Sequence, residues 1–281
     1  MLPRPLLLFP DSKIKRLPKR KRMTAILGFN CTDGILMLAD SEESTSNGTK
    51  SESDKLYRFI FPQGTIVMGG SGDSHLIECA YQELQEELKG GFSDGEDIKQ
   101  RLNAFTSRFF DETIGAYRGF ASDLVPQLSM LIAISSRQHT WLFKWNHNRV
   151  VLIPETRHTS TGGGDIQMHP LLRGVQFATP CASMLLHGIR IMLQTKKIVI
   201  GVGGKIDALA LYRGGSTRFF GTDMTRSVED LLEQIERYNN EVLFTVISDV
   251  FSKEENDDQI LPKLGIDIGL FREKYRSIVK P

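Results

Sequence analysis

Apolar positions along this chain change period several times, and each change marks an element. Thr24-Ala-Ile-Leu-Gly-Phe-Asn30 and Ile35-Leu-Met-Leu-Ala39 are two short apolar runs joined through Thr32-Asp33-Gly34. An Asp-Gly step between such runs predicts a hairpin, because glycine tolerates positive φ. Leu56 to Phe61 and Thr65 to Gly70 repeat the arrangement around Pro62-Gln63-Gly64, so four strands are expected before any helix. From Asp73, which reads as a helix cap, the spacing becomes helical: Ile77, Tyr81, Leu84 and Leu88 recur with polar residues between them until Gly90-Gly91. A second helix is expected from Gly95 or Glu96 to about Thr113, with Ile98, Leu102, Phe105 and Phe109 on one side.

Strands are expected again at Gln127 to Ile134, Thr140 to Trp145 and Val150 to Ile153. After Thr159-Ser160-Thr161 and a Gly162-Gly163-Gly164 turn, Ile166 to about Gln194 reads as helix in two pieces divided near Thr179-Pro180, since proline suits a first helical turn. Ile198 to Ile200 and Ile206 to Tyr212 read as strands, and a helical extension is expected over about 221–281. Blocks of strands, helices, strands, helix and strands predict an α+β layered domain, with helices packed on antiparallel sheets.

Composition adds boundaries to this picture. The chain has 281 residues, 40% hydrophobic and 25% charged, which excludes wholesale disorder. No apolar run approaches the roughly 20 residues of a bilayer crossing, so no membrane partner is expected. The net charge of +1 conceals a basic leader: residues 1–23 carry eight Lys/Arg and one acid, leaving 27 basic and 33 acidic residues beyond. The short apolar stretch Leu6 to Phe9 precedes the basic cluster, the reverse of a secretory signal. The leader is read as a removable propeptide or as sequence upstream of a misassigned start, and no nucleic-acid partner is expected. Cys31, Cys79 and Cys181 lie far apart with no metal-ligand spacing, which points to a reducing, cytoplasmic setting and to small core thiols.

Several local motifs carry no chemistry. Gly201-Val202-Gly203-Gly204-Lys205 lacks the Ser/Thr that a phosphate loop places after its lysine. Ser71 is not in a nucleophile elbow, because Asp73 takes the position of the last glycine. The six histidines show no ligand spacing. No metal and no cofactor are expected.

The opening of the patterned region is different. The segment from Thr24 through Gly28, Asp33-Gly34 and Ala39-Asp40-Ser41, followed by Lys55-Leu56-Tyr57 and Gly69-Gly70 before the first helix, resembles the start of proteasome β-type subunits and related bacterial threonine peptidases, which are N-terminal nucleophile hydrolases. The resemblance continues to Thr161-Gly162-Gly163 and to Gly203-Gly204-Lys205-Ile206-Asp207, about 190 residues in all. It implies a four-layer αββα sandwich over 24–220 and threonine-type endopeptidase activity on protein or peptide substrates. It also implies a homo-oligomeric ring and an ATP-dependent unfoldase as a possible partner.

The resemblance implies roles residue by residue, and the chemistry agrees with them. A threonine at a new N-terminus offers a hydroxyl nucleophile and an α-amine of reference pKa near 7.7–8.0, suited to act as base at neutral pH. Lys55 would lower the pKa of the nucleophilic site, and Asp40 would hold that lysine charged and oriented. Gly70 would aim a backbone N–H at the developing oxyanion. Thr161 stands where the family has an accessory serine. Ser44 and Met68 fall at substrate-binding positions, Met68 favouring an apolar residue before the scissile bond. Singly, each has an ordinary reading: a turn cap for Asp40, a solvated Lys55, an edge-strand start for Thr24. Their joint spacing carries the argument.

Two departures define the alternatives. The family's accessory Asp and Ser align with Val199 and Val202, which cannot replace them; a second alignment, to Asp249 and Ser252, sacrifices the matches at Thr161 to Gly163. Met23 precedes Thr24, which suits removal of an initiator methionine and places the start of translation at Met23. The rival readings are an inactive structural ring subunit and a small-molecule amidase of the same superfamily.

Overall fold

The computed structural model describes residues 24–44, 50–92, 94–117, 125–175 and 179–252, with 269–270, 273–274 and 277 of the tail. The leader, and 253–268 with several later residues of the expected extension, lie outside the described residues.

The first two apolar runs become β1 (Ala25–Asn30) and β2 (Gly34–Asp40), buried along their whole length. Full burial follows from their place in the middle of a five-stranded antiparallel sheet. That sheet also contains β10 (His158–Gly162), β11 (Ile206–Tyr212) and β12 (Thr217–Phe220), in the order β10-β1-β2-β11-β12. The second sheet, β5-β6-β7-β8-β9, is built from Leu56–Phe61, Gly64–Gly72, Leu128–Ser136, Thr140–Asn146 and Arg149–Ile153. A small pair, β3 (Glu42–Ser44) and β4 (Lys50–Glu52), stands beside them.

The period-2 alternation of strand side chains assigns each strand to two cores. Ile26, Ile35, Met37 and Ala39 join Val67, Leu131, Ala133, Leu142, Leu209 and Leu211 between the two sheets. The intervening Leu27, Phe29, Leu36 and Leu38 face the other way, onto helices α3 (Asp165–Arg173), α4 (Cys181–Ile198) and the first turns of α5 (Thr222–Ser252), through Met168, Met184, Leu185, Ile189 and Val228. Ile66, Met68, Met130, Ile132 and Phe143 pack the outer face of the second sheet against α1 (Ser74–Leu88) and α2 (Gly95–Phe109). Three cores between four layers give the αββα sandwich. Asp73 caps α1 by accepting from the His75 and Leu76 N–H groups, and Asp94 caps α2 through Glu96 and Asp97.

The structure differs from the expected elements at four places. Six strands precede α1, because the polar β3 and β4 offer no apolar signal. The Thr159-Ser160-Thr161 stretch, given no element by the sequence, is β10, a strand of small hydroxylated residues that runs on into Gly162 of the expected glycine turn and is recognised by its pairing with β1 rather than by hydropathy. β12 also went without a signal: it has four residues, with Phe219 turned outward. Ile198 to Ile200 is not a strand. Val199 N–H donates to the Thr195 carbonyl at 2.8 Å as the end of α4, and Val199 alone is buried while Ile198 and Ile200 are exposed. The first hairpin forms at Asp33-Gly34, closed by Cys31 N–H on the Gly34 carbonyl at 2.8 Å, but Gly34 is not at positive φ. Its missing Cβ serves a close approach instead, since a methyl there would overlap the Leu211 carbonyl of β11.

Candidate active site

The register of β1 places Thr24 at the end of the first sheet, where three separate segments meet it. β10 pairs Gly162 with Ala25, and Gly162 lies at φ 99° with its Cα face against the Thr24 carbonyl. A side chain there would be strained and would collide with Thr24, so glycine at 162 is required by both conformation and space. Gly164 N–H donates to the Thr24 carbonyl at 3.4 Å. On the other side of β1, Asp40 at the end of β2 accepts from Ala25 N–H at 2.8 Å. The peptide that follows Thr24 is therefore held from both neighbouring strands.

Asp40 is fully buried and its carboxylate is surrounded by donors. Lys55 Nζ lies 3.0 Å from Oδ1, and Gly203 N–H donates to Oδ2 at 3.2 Å. Lys55 donates in addition to the Glu42 carbonyl at 2.6 Å. Burial pushes the Asp40 carboxyl above its ordinary range, and the Lys55 charge with the Ala25 and Gly203 N–H groups pulls it back. Three donors aimed at two oxygens satisfy the ionised form.

Thr24, Lys55 and Gly70 line one cleft of about 100 Å³ with Glu42, Glu43, Ser53, Asp54, Tyr57, Ser74 and Ile77. Gly70 pairs with Met130 on β7, while the β5 ladder stops one residue earlier at Gly69, so no strand covers Gly70 on the cleft side. A Cβ at 70 would lie 2.6 Å from Ile77 Cγ2. The structure thus brings Thr24, Asp40, Lys55 and Gly70 together. Thr161 is buried on β10, and its hydroxyl donates to Ser129 Oγ at 2.8 Å. Met68 is fully buried in the core beneath α1 and α2 and is not among the cleft-lining residues. The side chain of Ser44 lies outside the described residues. Val199 and Val202 are packed into the core under α4.

Sequence reading missed the carboxylates of the cleft. Glu42, Glu43 and Asp54 line it, and the charges of Glu43 and Asp54 reach neighbouring groups. Desolvation, then the charges of Glu78, Glu43 and Asp54, push the Tyr57 phenol up. Burial, then Asp54, pushes Asp207 up. The signal available in the sequence was the acid-rich Asp40-Ser41-Glu42-Glu43 run directly after β2.

Among the described residues, one group of metal-ligating atoms converges: Cys31, Asp33 and Cys181, with their ligand atoms within 4.8 Å of one another. The fold brings together two cysteines that are 150 positions apart in the sequence. Asp33 Oδ1 accepts from Cys181 N–H at 2.8 Å and so caps α4, and the Cys31 thiol, burial and Asp33 all push the Cys181 thiol up, which leaves it protonated and unreactive.

No protein-family model and no curated protein sequence matches this chain. Solved structures do match its fold. Anbu of Yersinia bercovieri, described as an ancestral β-subunit, superposes with a TM-score of 0.60 over 80% of this chain and 96% of its own, at 14% identity. A Gly-1 mutant of Anbu from Hyphomicrobium sp. strain MC1 gives 0.60 over 78% and 97%, at 13% identity. The Anbu complex of Pseudomonas aeruginosa, described as a helical assembly, gives 0.60 over 77% and 95%, at 16% identity. The four-layer αββα fold is the one these Anbu structures share. The resemblance to proteasome β-type subunits needs correction: the solved structures named here are Anbu proteins, and identity this low carries the fold alone. Two of the motifs behind that resemblance, Gly162 against Thr24 and Gly34 against β11, answer to close packing within this sandwich. No helix among the described residues is long and apolar enough to cross a membrane.

Proposed function

We propose that this chain is an amide hydrolase of the threonine type that cleaves peptide bonds, with Thr24 as nucleophile once the residues through Met23 are removed. The observation that carries the reading is the buried Asp40–Lys55 pair, docked on the N–H that follows Thr24 and opening with Thr24 and Gly70 into one cleft.

The freed α-amine of Thr24 takes the hydroxyl proton as Oγ1 attacks the substrate carbonyl. Lys55, held charged by Asp40, favours the developing alkoxide. The Gly70 N–H stabilises the tetrahedral oxyanion. Collapse expels the amine, which takes its proton from the α-ammonium, and water then hydrolyses the resulting ester with the α-amine again as base. Thr161, on the strand that ends beside Thr24 and donating its hydroxyl to Ser129 of β7, is a positioning residue in this scheme. Three carboxylates in the lining support a cationic residue beside the scissile bond, in preference to the apolar one suggested by Met68. The helical assembly of the Pseudomonas aeruginosa protein, together with exposed Ile166, Ile198 and Ile200, supports self-association of this chain as well.

The reading is tested by producing the chain with Thr24 at its N-terminus and assaying fluorogenic peptides. Hydrolysis that is retained in Thr24→Ser and lost in Thr24→Ala is the expected result; equal activity in Thr24→Ala would exclude it.

A further inference from the structure

Two of the six histidines, His158 and His169, are brought by the fold to one cavity at the end of the sandwich away from the cleft. β10 pairs Gly162 with Ala25 at the catalytic end and His158 with Phe29 at the other, about 13 Å along the strand. There a cavity of about 550 Å³, within the size range of small-molecule sites, is lined by Arg157 and His158 from the start of β10 and by His169 and Arg173 from α3. Among the described residues, none of those lining it is acidic. Among the described residues neither guanidinium is in an ion pair.

The wall is built, not incidental. Asn30, nearly fully buried at the end of β1, donates through its amide nitrogen to the carbonyls of Pro154 and Arg157, both at 3.0 Å, and so fixes the loop that presents Arg157 and His158. The His158 ring is set against Phe29, with centroids 5.1 Å apart, and its Nδ1 is shielded from solvent without a hydrogen-bond partner. Burial and then His187 push His158 down, and burial and then Arg190 push His187 down; no acid contributes to either. Two guanidiniums and two imidazoles, with no carboxylate among the described lining residues, make a site for negative charge, and a guanidinium fork matches the oxygens of a phosphoryl group.

We propose that this cavity binds a small, multiply charged phosphoryl compound, with Arg157 and Arg173 as the charged contacts. The site is separate from the Thr24 cleft and does not depend on hydrolytic activity.

Titration of the Thr24→Ala chain with inorganic pyrophosphate at constant ionic strength, followed by calorimetry, tests it directly. Expected is saturable binding of one equivalent per chain, weakened about tenfold or more by Arg157→Gln or Arg173→Gln and abolished in the double variant. Arg101→Gln on α2, remote from the cavity, should bind as the parent does. Unchanged thermal unfolding of the double variant shows that a loss of binding is not a loss of fold. Binding that is unsaturable, that persists in the double variant, or that is shown by citrate and not by pyrophosphate overturns the proposal.

Discussion

Lys55 Nζ stands 3.0 Å from Asp40 Oδ1 with only 9% of the lysine side chain and none of the aspartate side chain open to solvent. Two charges are seldom withdrawn from water this far without a use, because desolvation consumes most of what their attraction returns. Here the pair connects the end of β2 to the residue after Thr24, which places a cation at the cleft.

Removing one partner strands the other. Asp40→Ala is expected to lower unfolding free energy by about 3–5 kcal/mol, since it leaves a buried uncompensated ammonium. Asp40→Asn combined with Lys55→Met should recover much of that stability and none of the hydrolysis. Lys55→Met alone should reduce kcat/KM about 10²- to 10⁴-fold. Urea unfolding and peptide assays on the same variants check both halves.

The pH dependence has a definite sign. Burial raises the Asp40 pKa in the folded chain above 3.8, so between 3.8 and the raised value the folded state binds more protons than the unfolded one. This residue's contribution to stability therefore falls as pH rises through that window. Relative to Asp40→Asn, the parent should gain stability as pH drops through it. Activity runs the other way, because hydrolysis needs the Asp40 carboxylate and the free amine of Thr24, and kcat/KM should rise toward about pH 8. Paired unfolding and kinetic profiles measure both.

Gly162 faces the Thr24 carbonyl at φ 99°. Gly162→Ala is expected to cost about 1–3 kcal/mol in stability through backbone strain. It should also displace Thr24 and lower kcat far more than a variant of equal stability elsewhere. Ile189→Val, in the core under α4, supplies that comparison.

The carboxylates of the cleft set a preference. Peptides with lysine before the scissile bond should be cleaved roughly fivefold better than their norleucine counterparts, with the advantage lost in Glu43→Gln combined with Asp54→Asn. A preference for norleucine in the parent would place Met68, and not the acidic lining, in control of selectivity.

Hydropathy was sufficient for β1, β2, β6, β7 and both long helices of the second layer, because strands buried on two faces leave continuous apolar runs. It was blind to β10 and β12, whose places in the sheet come from backbone pairing, and it took Ile198 to Ile200 for a strand although only Val199 has a core to enter. Thr24, Asp40, Lys55 and Gly70 were assigned together only through the family resemblance, each being an ordinary strand or turn residue when read singly. Glu43, Asp54, Arg157 and His169 were not, since ordinary surface charges acquire meaning only when separate loops and helices bring them to one cavity. The same holds for Cys31 and Cys181, which spacing alone kept apart.

The central claim is that Thr24 acts through its own hydroxyl and amine. Intact mass and peptide mapping of the chain beginning at Thr24, after treatment with a peptide epoxyketone, test it most directly, because that reagent needs both groups on one residue. The account predicts a single adduct mapped to Thr24 and lost in Lys55→Met. A chain that begins at Thr24, is folded and remains unmodified by lysine-bearing and norleucine-bearing reagents alike would contradict it.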